Sequence, residues 1–264
     1  MDPIARFKEG QRVAWAGFAA LERITGTAAP RLVSFAGVRP GAKLLDVGCG
    51  TGVVALTAAR AGARATGLDL TPELVARARE NAAIAGVDVD WREGDAEALP
   101  FDDASFDVVV SQFGHMFAPR PEVVTREMLR VLRPGGTIAF ATWPPELCVG
   151  RMFALVAAHS PPPPPGVPPS TSWGDPAVVR ERLGGGVREV TFDRAMMRFP
   201  MLSPQHFRIF IEENVGPFTR VVKTLEGEAS KLASFRRELE QIAAVYFEDN
   251  VVRQDFLLTR AVKA

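Results

Sequence analysis

The sequence predicts an α/β protein built on a doubly wound, mostly parallel sheet. Three observations carry this. From residue 43 to 143, short apolar runs alternate with helix-like segments, the order that winds a parallel sheet with right-handed crossovers. The first run, LLDVGCGTG at 44–52, breaks into three glycines at alternate positions. A second run, GLDL at 67–70, places an acid at its end, about 20 residues past that loop.

Each element has its own signal. Residues 3–37 read as helical, with Val13, Trp15, Phe18, Ala19, Leu21 and Ile24 on roughly one face. Pro40-Gly41 marks a turn. KLLDV suits a buried parallel strand. Residues 53–62 are alanine-rich and stop on Gly62. Residues 63–70 form the second strand. The helix at 71–86 has Thr71 as cap, Pro72 in its first turn and Gly86 as its stop. Strands follow at 87–95 and 106–112, then a helix at 121–136 with a Pro-Gly-Gly stop, then a strand at 137–143. Beyond them, 151–160 and 175–185 read as helices and 161–169, PPPPPGVPP, as an exposed extended segment. A strand at 187–200, helices at 203–214 and 226–249, and a last strand at 255–264 returning to the sheet edge complete the chain. This organises 1–264 as a single domain. Helices at 1–37 precede a core of about 38–146, which the final strand at about 251–264 completes. A mainly helical, substrate-side elaboration occupies about 147–250.

Composition narrows the function. The 264 residues carry 31 basic and 31 acidic side chains. A balanced chain lacks the electrostatic footprint of a nucleic-acid binder. Its two cysteines, Cys49 and Cys148, have neither metal-ligand spacing nor a disulfide framework, which fits a reducing cytoplasm. No apolar run approaches a membrane span, and the N-terminus lacks a signal-peptide core.

The glycine loop follows a strand, where open α/β sheets hold ligands. A hydride-transfer fingerprint is G-x-G-x-x-G, built to seat a pyrophosphate. Here the order is Asp46, Gly48, Gly50, Gly52. An aspartate facing the pocket mouth suits a ligand with positive charge, such as the ammonium and sulfonium of S-adenosylmethionine. Asp69 is placed to accept from ribose hydroxyls. Asp95, after the third strand, is placed to accept from an adenine amine, with the Ala96 N–H donating to a ring nitrogen. SQFGHMF at 111–117 would lie beneath the reacting centre.

Five motifs in order, LLDVGCGTG, GLDL, GDAEALPF, FDVVVSQFGHMF and EMLRVLRPGG, resemble a class I S-adenosylmethionine-dependent methyltransferase of the ubiquinone/menaquinone C-methyltransferase-like group. The resemblance covers roughly 40–145. It implies a Rossmann-like sheet of seven strands whose last strand is antiparallel. It implies contacts from Gly48, Cys49 and Gly50 to the methionine part of the cofactor, from Asp69 with Leu70 beside it to ribose, and from Asp95 and Ala96 to adenine. Gln112 would sit near the methionine part. Members often close an N-terminal helix over the cofactor, which makes Gln11 and Trp15 candidates.

No side chain announces itself as a catalyst. His115 lies just past the fourth strand, where a general base would be useful, but a pocket wall or a backbone hydrogen bond is the commoner role there. Cys49 reads as a small packing residue offering its N–H. Metal ligands are not expected. The function expected is methyl transfer from S-adenosylmethionine to a small, partly apolar molecule, releasing S-adenosylhomocysteine. The alternatives are a nicotinamide-dependent oxidoreductase and a non-catalytic S-adenosylmethionine-binding protein.

Overall fold

The chain enters through three short helices, Pro3–Trp15 (α1), Glu22–Thr25 (α2) and Ala29–Phe35 (α3), in a computed structural model that describes residues 2–264. Asp2 caps α1 by accepting from the Ala5 N–H, and Pro3 starts its first turn. The helical stretch expected over 3–37 is therefore interrupted. A 3₁₀ turn at Phe18–Leu21 and Gly26 redirect it, since glycine is a poor helix interior residue. Val13, expected on the buried face, is 66% exposed, because α1 turns its Lys8, Gln11, Arg12 and Trp15 face inward and Val13 lies off that face.

The sheet region runs Lys43–Val47 (β1), Val53–Arg60 (α4), Arg64–Asp69 (β2), Pro72–Ala85 (α5), Asp90–Glu93 (β3), Phe106–Gln112 (β4), Pro121–Val131 (α6) and Leu132–Thr142 (β5). The helix expected to reach 136 stops at Val131. Leu132 already pairs with Phe106, so the Pro-Gly-Gly turn lies within the irregular start of β5. The elaboration supplies Cys148–Ala158 (α7), Pro176–Leu183 (α8), Val187–Pro200 (β6), Pro204–Asn214 (α9), Gly216–Leu225 (α10) and Ala229–Val245 (α11). Of these, α10 was not expected from the sequence. A two-residue strand, Phe247–Glu248 (β7), leads into Val251–Lys263 (β8).

Seven strands lie side by side in the order β3-β2-β1-β4-β5-β8-β6, and β7 adds to β8 off this path. The first five are parallel, and β8 runs antiparallel to both β5 and β6. The last strand thus lies inside the sheet rather than at its edge. Burial explains the exchange: β8 is buried along most of its length, whereas β6 exposes alternate residues and serves as the edge.

Two apolar clusters result. One fills the sheet and its covering helices, around Leu44, Leu45, Val109, Val110 and Phe140. The other joins α7, α9, α10 and α11 around Phe207, Phe218, Phe235 and Leu239. The second cluster sits over the carboxyl ends of the sheet on the β5-β8-β6 side and forms one wall of the cavity described next. No helix among the described residues is long and apolar enough to cross a membrane.

Candidate functional site

Strand order reverses between β1 and β4, and a doubly wound sheet opens a crevice at that point. The loops after these two strands touch there. A Cβ on Gly48 would lie 2.8 Å from the Gly114 Cα, so the loops pass as two bare backbones. A cavity starts in this crevice and extends over β5, β8 and β6. Its empty space is about 1340 Å³, with open solvent at the mouth included.

The glycine loop spends its own donors internally. Gly48 N and Cys49 N both donate to Leu68 O, Gly52 N donates to Cys49 O, and Gly50 N donates to Asp69 Oδ2 at 2.8 Å. A pyrophosphate needs such N–H groups free, so the loop is not built as a dinucleotide cradle. Asp69 also accepts from Thr71 N through Oδ1. The carboxylate thereby locks two loops together. Each of its oxygens keeps a lone pair, and the residue lies on the cavity wall. Burial pushes its carboxyl above the usual range, against the pull of the Thr71 and Gly50 N–H groups.

Asp46 departs from its expected place at the pocket mouth. It is 1% exposed and lies beneath the loop, off the cavity wall. Its Oδ2 accepts from Ala55 N in the first turn of α4. The positive end of that helix thus already faces a carboxylate of the protein. Oδ1 has no partner, and desolvation pushes the carboxyl up to about 7. Cys49 is likewise buried behind the loop with its N–H committed to Leu68. Burial, with Asp69 and Asp46 nearby, raises its thiol, the opposite of what a nucleophile requires.

Gln11, Trp15, Gly48, Gly50, Asp69, Leu70, Asp95, Ala96 and Gln112 all line the cavity. Asp95 is engaged on both oxygens: Oδ1 caps Glu97 N, and Oδ2 meets Lys8 Nζ at 2.5 Å. Lys8 also reaches Glu97 at 2.5 Å, tying α1 across the mouth. Gln112 donates to Thr25 O, and its Oε1 is buried without a partner. Gln11 accepts from the Trp15 indole N–H one helical turn away. From Trp15 an aromatic row continues through Phe117, Phe153 and Phe218, with centroid separations of 4.7, 5.5 and 6.0 Å.

Lys8 was missed, although a signal existed. Lys8, Gln11, Arg12 and Trp15 follow i, i+3, i+4, i+7, one face of a helix, but the apolar residues beyond Trp15 drew the face elsewhere. Gln254 and Met197 were missed for another reason. They meet only because β8 pairs with β6, and no local pattern carries that pairing.

His115 is not a base in this site. It is 1% exposed, off the cavity wall, and packed against Phe140 and Trp173 with both ring nitrogens unpartnered. Desolvation, aided by Arg182, pulls its pKa down to about 3. It stays neutral at physiological pH and serves as packing.

The loop glycines separate stability from binding. Gly48 has φ +66, and an added Cβ meets backbone. Gly48→Ala is expected to cost about 3 kcal/mol, combining left-handed strain with overpacking. Gly50 has φ +53, but nothing lies within 4 Å of its Cβ position. Gly50→Ala is expected to cost only about 1 kcal/mol while placing a methyl group on the cavity wall. Denaturant midpoints should rank the two in that order. Ligand titration should show Gly50→Ala losing affinity out of proportion to its stability. Equal losses of stability would contradict this account.

Comparison with known proteins agrees with this geometry. The model of a methyltransferase domain family matches residues 45–140. An uncharacterized protein of Mycobacterium tuberculosis is 37% identical over 243 residues, spanning 92% of this chain and 89% of that one. The ubiquinone/menaquinone biosynthesis C-methyltransferase of Roseobacter denitrificans is 45% identical over 104 residues, 38% of this chain and 42% of the relative. Among solved structures, phosphoethanolamine N-methyltransferase 2 of Haemonchus contortus, in complex with phosphomonomethylethanolamine and S-adenosylhomocysteine, superposes with a TM-score of 0.59. It does so at 18% identity, over 97% of this chain and 59% of that one, a likeness of fold.

Proposed function

Because this chain belongs to the class I S-adenosylmethionine-dependent methyltransferases, we propose that it methylates a small, partly apolar molecule in the part of the cavity walled by residues 147–250. S-adenosylmethionine is the cofactor, and it supplies an activated methyl group on a sulfonium. One observation supports the acceptor class: the cavity is continuous from the glycine loop to a lobe lined by Val149, Met152, Phe153, Ile211, Val215 and Phe218.

The residues present fit an adenosyl cofactor. Gly50 leaves the wall open, Asp69 keeps accepting capacity toward the cavity, and the Gln112 Oε1 is buried without a partner. In this reading Asp69 orients the ribose, with Leu70 packing beside it. Asp95 and Ala96 border the adenine. Gly48 and Gly50 border the methionine part near Gln112. Asp46 and Cys49 act from beneath by holding the loop. Lys8, Gln11 and Trp15 cover the mouth, which keeps water from the reacting centre. The chain's part would be to hold cofactor and acceptor together in one cavity, since alignment of reactants supplies much of the acceleration. The lobe contributed by 143–254 offers no titratable side chain to the cavity, so no base from the lobe takes part in this reading.

The test uses methyl-labelled S-adenosylmethionine and a small-molecule extract of cells added beside the macromolecular fraction. Label recovered in the organic-extractable, low-mass fraction is the expected result. Label confined to protein or nucleic acid would overturn the acceptor class. Titration with S-adenosylhomocysteine and NADH should show saturable binding of the first alone.

A further inference from the structure

Gln254 is one polar side chain in an otherwise apolar lobe. Along the top of the sheet, the cofactor-side residues stand over β1, β2 and β3. The far lobe stands over β5, β8 and β6 and beneath α7, α9 and α10. Trp143, Met152, Phe153, Met197, Ile211 and Phe218 are among its apolar contributors, and Gln254 is the polar one. Gln254 is 5% exposed, and its register partner on β6 is Met197. The residue lies on the cavity wall, within the apolar lobe. An amide on an otherwise apolar cavity wall is a ready partner for a single polar group of a ligand.

We propose that the Gln254 amide is the specificity-determining contact for the acceptor, and that the acceptor is an uncharged, largely apolar molecule bearing a hydroxyl or carbonyl oxygen. This rests on the reading of the lobe as the acceptor site. The amide both donates and accepts, so it matches either oxygen function. The absence of a cationic side chain in the lobe leaves a carboxylate or a phosphate without a counter-charge, at a heavy desolvation cost. The apolar walls and the stacked Phe113–Trp143 pair, at 3.9 Å between centroids, suit a flat or branched hydrocarbon body. Discrimination of this kind is strong because a site built around a hydrogen bond penalises analogues lacking it.

The test compares three probes of one skeleton, naphthol, methylnaphthalene and naphthoate, titrated into protein saturated with S-adenosylhomocysteine. The readout is the ratio of naphthol to methylnaphthalene affinity in wild type and in Gln254→Met, a shape-matched variant. That ratio is expected to fall about tenfold in the variant. Naphthoate is expected to bind weakest in wild type. S-adenosylhomocysteine affinity should be the same in both proteins, which also shows that the variant is folded. An unchanged ratio, tightest binding of naphthoate, or no saturable binding of any probe would overturn the inference. Loss of S-adenosylhomocysteine binding by wild type would instead overturn the reading of the cavity as an adenosyl site.

Discussion

Asp69→Ala is expected to weaken S-adenosylhomocysteine binding by a hundredfold or more. The carboxylate is proposed to accept from two ribose hydroxyls, and a hydrogen bond to a charged group contributes about 1.5–3 kcal/mol. Its removal also frees the two N–H groups that it now holds, Gly50 N and Thr71 N. The glycine loop then loses its tie to the β2 end at the same moment as the ligand loses its anchor. Asp69→Asn separates the two roles. It keeps one acceptor oxygen and loses the charge, so its loss should be intermediate, about tenfold. Calorimetric titration measures both variants, with near-ultraviolet circular dichroism as a check of the fold. Affinity of the alanine variant within threefold of wild type would remove Asp69 from the site.

The second large effect concerns stability against pH. Asp46 titrates at about 7 in the folded chain against 3.8 for an ordinary aspartate, chiefly through desolvation. Its folded value is raised, so the fold favours the protonated form. The contribution is fully present below about pH 4 and is lost as pH rises through about 7. Each tenfold change in proton affinity is worth about 1.4 kcal/mol, so the ionised carboxylate costs roughly 4 kcal/mol above pH 7. Asp46→Asn carries no charge and keeps an oxygen for the Ala55 N–H. Its unpartnered amide N–H takes back part of the gain. The variant is therefore expected to be about 2 kcal/mol more stable than wild type at about pH 8 and to lose that advantage toward about pH 4. Urea midpoints for the cofactor-free proteins at both pH values decide it. A difference that does not change with pH would show that Asp46 is not the titrating group.

Asp46 and Asp69 also show how far local pattern reaches. Both acids end strands beside the glycine loop, and the motif drew attention to both. Pattern places a residue at a strand end, but it does not set the direction of the carboxylate. In the folded chain Asp69 stays on the cavity wall, whereas Asp46 turns beneath the loop to the first turn of α4. His115 repeats the lesson. Its position past β4 suggested a base, and the aromatic packing of Phe140 and Trp173 closed over it.

The alternation of strands with helices and the glycine loop were legible in the residues because each rests on local physics. Apolar runs of strand length, alanine-rich helices with glycine stops, and a turn that tolerates positive φ all act over a few neighbours. The insertion of β8 between β5 and β6, the Lys8 tie across the mouth and the meeting of Gln254 with Met197 were not legible. They join segments far apart in the chain, as where Lys8 meets Asp95 across 87 positions. Long-range pairing is selected by the burial of whole faces against one another. No short window of sequence contains that free energy, so the glycine-loop end of the cavity could be read from motifs while its apolar end came only with the folded chain.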